Sequence, residues 1–174
     1  MNGTSHERED AMTTDPTQLS ERARKERWAP VLDRWLGVHH GLRIAGEVEQ
    51  RRGIDRVVTT TDGRTLGLQY RCDERAHHSG HVFVEALRGD AAPALATGAE
   101  WVLYLVAPRK LLAFRVARLE GALPQWSRRY RVRSGSAGTL GVVVPTPVAE
   151  TVAEHVLRLD QPPGAPFLTE DSRP

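Results

Sequence analysis

Apolar positions recur along this chain with two periods, one helical and one strand-like. Residues 17–36 predict a helix, because their apolar side chains fall at helical spacing on one face. The members of that face are Trp28, Val31, Leu32 and Trp35. The same period predicts further helices over residues 91–99, 117–126 and 146–159. These helices are separated by stretches of a different pattern.

Several of those stretches alternate between apolar and polar residues or are rich in β-branched residues, which is typical of strands. They cover residues 56–60, 66–72, 82–87, 101–106, 111–114 and 140–144. Residues 42–50 fit either a strand or a helix. The resulting order is a helix, three consecutive strands, a helix and a strand, followed by additions. This order predicts an α/β (α+β) fold with a mixed central sheet, an antiparallel three-strand meander and flanking helices.

The length of 174 residues fits a single domain, which we place at residues 17–160. Residues 1–16 are polar and without periodicity, and residues 161–174 contain four prolines. We therefore expect a disordered N-terminal arm and a flexible C-terminal tail. No apolar run has the length of a membrane helix, and Cys72 is the single cysteine. These features predict a soluble cytoplasmic protein without a membrane segment.

The charge of the chain is nearly balanced, with 24 Lys and Arg residues against 22 Asp and Glu residues. This balance does not indicate nucleic-acid binding by itself. Almost all of the positive charge is arginine, which suits bidentate phosphate contacts but is also a product of GC-rich coding. A cluster of arginines surrounds Tyr130, and it fits either a phosphate backbone or a solvated strand face. Its members are Arg128, Arg129, Arg131 and Arg133.

The stretch GIDRVVTTTDGRTLGLQYR, residues 53–71, combines an acidic residue, a hairpin and a Gln-x-Arg triplet. Gln69 and Arg71 share one face of their strand, because side chains alternate along it. A two-residue loop would set Asp55 on the opposite face. A three-residue loop with a left-handed Gly63 would set Asp55 opposite Gln69. We predict the three-residue loop, which would gather Asp55, Gln69 and Arg71.

This arrangement resembles the PD-(D/E)XK nuclease superfamily, which has the restriction-endonuclease-like fold, over roughly residues 18–126. Asp55 matches the metal-binding aspartate of the superfamily, and Gln69 and Arg71 fall at its (D/E)-x-K positions. Glu85 lies where members often carry an acidic residue on the third strand. Glu49 lies shortly before the Gly-Ile-Asp sequence, as in phage and bacterial members. The order of elements supports the resemblance more than any single residue does.

The resemblance implies a metal-dependent DNA endonuclease that hydrolyses phosphodiester bonds with Mg²⁺ or Mn²⁺. Its catalytic residues would be Asp55, Gln69, Arg71 and Glu85, and its metal ligands Asp55, Gln69, Glu85 and Glu49. DNA would be the partner, and a homodimer is common among members. Magnesium prefers carboxylates, so the neutral Gln69 leaves a charge that Glu85, Glu47 or Glu49 would have to supply.

The departures from the superfamily pattern leave two other functions open. Arg71 can stabilise phosphate charge but is a poor general base, because it does not deprotonate in proteins. The chain therefore also fits a catalytically inactive DNA-binding or assembly module with the same fold. A protein-interaction domain without a nucleic-acid partner is the third hypothesis. The histidines, by contrast, lack the spacing of a metal motif and predict ordinary loop positions. They are His39, His40, His77, His78 and His81.

Overall fold

The computed structural model describes residues 21–88, 92–93, 98–135, 139–161 and 168. The helices are α1 (Glu21–Leu36), α2 (Glu47–Arg51), α3 (Ala76–Ser79), α4 (Val116–Arg129) and α5 (Thr146–Val152). The strands are β1 (Gly41–Ile44), β2 (Arg56–Thr59), β3 (Thr65–Asp73), β4 (His81–Arg88), β5 (Ala92–Pro93), β6 (Trp101–Val106), β7 (Lys110–Arg115), β8 (Val132–Ser134), β9 (Thr139–Pro145) and β10 (His155–Arg158). None of the described helices has the length and apolarity to span a membrane.

A mixed six-stranded sheet forms the centre of the molecule, in the order β1-β2-β3-β6-β7-β10. Its first three strands are an antiparallel meander. β6 then runs parallel to β3, and β7 and β10 continue antiparallel. All six residues of β6 are buried, as expected of a strand that is covered on both faces. The predicted mixed α/β architecture is therefore confirmed.

A second, four-stranded antiparallel sheet has the order β5-β4-β9-β8. The predicted strand over residues 82–87 exists as β4, but it belongs to this second sheet rather than to the meander. Val82 and Val84 of β4 pair with the apolar strand β9, which lies far along the chain. The meander is completed instead by β1, which precedes β2 in the chain. The ambiguous residues 42–50 contain most of β1 and also α2.

Strand β3 separates the two halves of the hydrophobic core. Leu68 and Tyr70 pack with Leu32 of α1 on one side of the six-stranded sheet. On the other side, Tyr104 of β6 packs with the second sheet and with α4. Each half therefore depends on a different face of the same strands. This division decides which residues of the predicted site can meet.

The C-terminal part corrects two further predictions. The helix predicted over residues 146–159 ends at Val152, because residues 155–158 form β10 and pair with the free edge of β7. Residues 92–93, expected in a helix, form β5, while residues 94–97 lie outside the described chain. The predicted N-terminal arm and most of the predicted tail also lie outside it. Leu168 is described, and it is fully buried in the α1 half of the core.

The hairpin between β2 and β3 has the predicted three-residue loop. Thr60 donates its backbone N–H to the Arg64 carbonyl at 2.9 Å, which leaves residues 61–63 as the loop. Gly63 has φ +83°, and its N–H bonds to the Thr60 carbonyl at 2.9 Å. The ladder continues to the pair Arg56 and Leu68. The local sequence thus sets both the turn and the register.

We expect Gly63→Ala to lower the free energy of unfolding by about 1–2 kcal/mol, because an L-residue is strained in the left-handed conformation. No atom would crowd the new methyl group, so backbone strain alone causes the loss. Gly121→Ala is the matched control, since Gly121 lies in α4 with equally open space. It should gain about 0.5–1 kcal/mol. Urea unfolding of both variants measures this, and equal shifts would contradict the explanation.

Candidate functional site

Asp55 immediately precedes the first residue of β2, beside the part of β3 that extends beyond the β2–β3 ladder. Its backbone N–H donates to the Leu68 carbonyl at 2.8 Å, although the ladder already pairs Leu68 with Arg56. Two consecutive residues thus face one partner residue, which is typical of a β-bulge. Asp55 therefore does not form the expected pair with Gln69, even though the hairpin has the predicted loop. The loop sequence does not predict this bulge, which lies at the other end of the hairpin.

The Asp55 carboxylate is held by two donors. The Tyr70 backbone N–H donates to its Oδ2 at 2.7 Å, so the carboxylate takes the place that a strand partner would have. Lys25 Nζ reaches it from α1, at 2.9 Å from Oδ1 and 3.0 Å from Oδ2. The side chains are 18% and 30% exposed for Asp55 and Lys25 respectively. This ion pair compensates the negative charge of Asp55.

A second polar group on the same side of the sheet centres on Asp33 of α1. Arg56 donates to its carboxylate from Nε and from a terminal nitrogen, each at 2.9 Å at the closest. Tyr70 donates its hydroxyl to Asp33 at 2.9 Å. Burial, together with the charge of Asp33, raises the pKa of Tyr70 well above its ordinary value. Tyr70 therefore remains a protonated donor that ties β3 to α1.

Sequence reasoning missed these partners in α1. Lys25 and Asp33 are eight residues apart, so they lie on one face of the helix, about two turns from each other. Lys25 is one of only two lysines in the chain, the other being Lys110. The rarity of lysine was the one feature of the sequence that could have drawn attention to Lys25. Its partner Asp55, however, is 30 residues away, and no local pattern connects them.

Arg71 and Glu85 meet on the other side of β3. Their closest atoms are 3.0 Å apart, and the side chains are only 12% and 10% exposed. Two residues further along β3, Asp73 accepts a hydrogen bond from the Tyr104 hydroxyl at 3.2 Å. The Tyr104 hydroxyl also contacts the backbone of Phe83 on β4. Polar contacts therefore join the two sheets at this point.

Gln69 is the third predicted residue of β3, and it is 5% exposed. Its carbonyl oxygen, Oε1, accepts no hydrogen bond within the described part of the chain. A buried polar atom without a partner is uncommon and costs free energy. Gln69 shares its strand face with Arg71, as predicted from alternation. The structure thus brings together Arg71 and Glu85, with Gln69 on the same face.

Glu49 lies apart from these residues, on α2. Arg43 donates two hydrogen bonds to its carboxylate, at 2.6 and 2.7 Å, and the Gly46 N–H donates a third at 2.7 Å. The hydrogen bonds from Arg43 lower the pKa of Glu49 to about 2. Glu49 thus closes the start of α2. It does not join the other proposed ligands.

The residues of the predicted metal site do not fit a divalent cation in this arrangement. Across residues 21–88, 92–93, 98–135, 139–161 and 168, no three His, Cys, Asp or Glu side chains are grouped as metal ligands. Asp55 is paired with Lys25, and Glu85 with Arg71. Magnesium would require several free oxygen ligands. The arrangement instead suits charge compensation within the protein.

We expect the Cys72 thiol to be nearly inert in the folded protein. Burial raises its pKa to about 12, and the charge of Glu74 adds to the shift. At about pH 8 the thiolate fraction then falls far below that of a free cysteine, so a disulfide reagent should react at least about 100-fold more slowly. The rate is measured in buffer and in denaturing urea. Similar rates under both conditions would contradict this prediction.

We expect Glu85→Gln to destabilise the protein by about 3–5 kcal/mol, because it leaves the Arg71 charge buried without its carboxylate. The matched control is Glu47→Gln, which removes the exposed pair of Glu47 with Arg51, 85% and 76% exposed. That loss should stay below about 0.5 kcal/mol. Urea unfolding measures both. A loss from Glu85→Gln as small as that of the control would show that Arg71 is readily solvated.

Comparisons with known proteins give no relative for this chain: no protein-family model, no curated protein and no solved structure matches it. Its function is therefore inferred from its own residues. The relevant ones form two ion pairs on either side of β3, Asp55 with Lys25 and Arg71 with Glu85. The carbonyl oxygen of Gln69, which accepts no hydrogen bond from the described residues, lies on the same face of β3 as Arg71.

Proposed function

We propose that this protein is a DNA-binding module with a restriction-endonuclease-like core that does not cleave DNA. The observation that carries the proposal is the pairing of each central acid with a base. Lys25 compensates Asp55, and Arg71 compensates Glu85. In an active nuclease of the PD-(D/E)XK type the acids bind the metal, whereas here each acid is already paired with a base.

The order and direction of the strands support the fold part of the proposal. α1 precedes an antiparallel meander of β1, β2 and β3, and β6 then lies parallel to β3. This is the order that the resemblance to the superfamily implies. The connection from β3 to β6 differs, because it contains α3, β4 and β5 where a helix is expected. Asp55 and Gln69 still occupy the positions at the start of β2 and within β3.

Electrostatics support the absence of cleavage. A divalent cation at Asp55 would lie close to the Lys25 ammonium, which is 2.9 Å from that carboxylate. The repulsion between like charges at short range is largest where water is excluded. Displacing Lys25 would also cost the existing hydrogen bonds. The same argument applies at Glu85, where the buried Arg71 guanidinium is already in place.

A metal-dependent DNA endonuclease is the second candidate, and one observation favours it. The Oε1 atom of Gln69 is buried and unsatisfied within the described residues. An amide oxygen is a ligand type that hard cations accept. Asp55, Gln69, Arg71 and Glu85 would then form the site, with Mg²⁺ or Mn²⁺ supplied from solution.

We expect the protein to bind duplex, single-stranded or branched DNA at low salt. Its affinity should fall as the salt concentration rises, since phosphate contacts release counterions. No strand scission should occur with Mg²⁺ or Mn²⁺. Gel-shift titration measures DNA binding, and plasmid nicking measures strand scission. A protein that binds no DNA at low salt would overturn the proposal and favour a protein-interaction domain.

The cleavage assay distinguishes the two candidates through matched variants. Asp55→Asn removes the carboxylate beside Tyr70, whereas Asp62→Asn changes an exposed aspartate in the loop of the same hairpin. Metal-dependent cleavage that is lost in Asp55→Asn and kept in Asp62→Asn would establish the endonuclease. Cleavage equal in the wild type and both variants would indicate a contaminant and leave the non-cleaving module supported.

A further inference from the structure

One stretch of the chain is strongly basic although the whole is nearly neutral. Residues 121–149 contain four arginines and no Asp, Glu, Lys or His. The rest of the chain carries 20 basic and 22 acidic side chains, and is therefore slightly acidic. The arginines are Arg128, Arg129, Arg131 and Arg133. Their positive charge is thus concentrated within six consecutive positions.

The structure exposes all four side chains, which we call the arginine edge. Arg128 and Arg129 form the last turn of α4, and Arg133 lies on β8, the terminal strand of the second sheet. Between them, the Arg131 carbonyl accepts the Val143 N–H at 3.0 Å, which fixes Arg131 against β9. The backbone of the arginine edge is therefore held by the helix and by the sheet.

No acidic partner compensates the arginine edge within the described chain. Two exposed arginines elsewhere do have one: Arg51 pairs with Glu47, and Arg109 with Asp160. Arg34 and Arg52 are exposed and, within the described chain, form no ion pair, but they do not lie in a cluster of arginines. Basic residues in the last turn of a helix interact favourably with its dipole, which accounts for Arg128 and Arg129. That effect falls off beyond the last turn. It leaves Arg131 and Arg133 without an explanation from folding stability.

The arginine edge adjoins the paired residues of the candidate site. Arg133 pairs with Gly141, and Gly141 pairs with Glu85, so the three form one row across the second sheet. Directly paired residues project to the same face, and two strand spacings amount to about 10 Å. Glu85 in turn contacts Arg71. The row therefore connects Arg133, at the edge of the second sheet, to the Arg71–Glu85 pair beside β3.

We propose that the arginine edge binds the phosphate backbone of duplex DNA and sets the DNA alongside the Arg71–Glu85 pair. This inference rests on the proposed function, because it names the surface that the DNA occupies. Guanidinium groups bind phosphate oxygens in bidentate fashion. Exposed arginines that have no carboxylate to release can bind phosphate without breaking an existing pair. The contacts address the backbone, so binding is independent of base sequence.

The test compares two double variants that remove the same charge. Arg131→Gln with Arg133→Gln changes the arginine edge, and Arg51→Gln with Arg109→Gln changes exposed, paired arginines elsewhere. DNA affinity is measured by fluorescence anisotropy on two unrelated duplexes over a range of salt concentrations. The first variant should weaken binding to both duplexes equally. It should also reduce the slope of log affinity against log salt by about two, one for each lost phosphate contact.

Each result has a distinct meaning. A wild type that binds no duplex overturns the proposed function together with this inference. A wild type that binds DNA, with equal losses in the two double variants or none in the first, overturns the arginine edge alone. Tighter binding to RNA, or to vesicles of anionic lipid, than to duplex DNA would also overturn it. Urea unfolding tests whether both variants fold, and we expect that they do, since all four substitutions are on the surface.

Discussion

Strand β3 lies between two packed layers, and a buried polar group on it is stabilised by a partner in the layer that it faces. A buried polar group without a partner costs free energy, so this requirement constrains the fold, and within the described chain the Gln69 carbonyl oxygen does not meet it. Tyr70 meets it through Asp33 on the α1 side. Arg71 meets it through Glu85, which brings β4 of the second sheet against the first. The placement of both layers is therefore tied to the alternation of a single strand.

The two sides of β3 have different energetic consequences. An ion pair buried as deeply as Arg71 and Glu85 recovers little beyond its desolvation cost, and apolar residues often replace such pairs without loss. Stability alone therefore gives no reason for a charged pair on a strand whose neighbours are largely apolar. The unsatisfied Gln69 carbonyl on the same face has an energetic cost as well. The stability of the core explains neither feature.

The sequence predicted those features that depend on neighbouring residues. The glycine at position 63, which adopts a left-handed conformation, predicted the three-residue loop. The alternation of side chains along a strand predicted that Gln69 and Arg71 share a face. The bulge at Asp55 was not predictable, because it accompanies a contact with Lys25, 30 residues earlier. The second sheet was missed for the same reason, since β4 pairs with β9, more than 50 residues later. An apolar strand looks the same in either sheet until its partner is known.

The final helix is shorter than predicted for a related reason. Residues 155–158 were counted as helical, yet the edge of β7 offered them a ladder of hydrogen bonds. In this strand, Leu157 is partly buried and packs against the α1 half of the core. Local helical spacing cannot anticipate an open sheet edge. The same limit applied to the acids of the site, whose basic partners come from other elements.

Competition between partners decides where a phosphate would bind most readily. At Arg71 a phosphate has to replace Glu85 in a nearly buried position, and breaking such a pair costs about 3–5 kcal/mol. At Arg131 and Arg133 the guanidinium groups are exposed, so a phosphate replaces only water. Binding free energy should therefore come mainly from the edge of the second sheet. Arg71 would then stay paired with Glu85 beside a backbone that is bound at the edge of the second sheet.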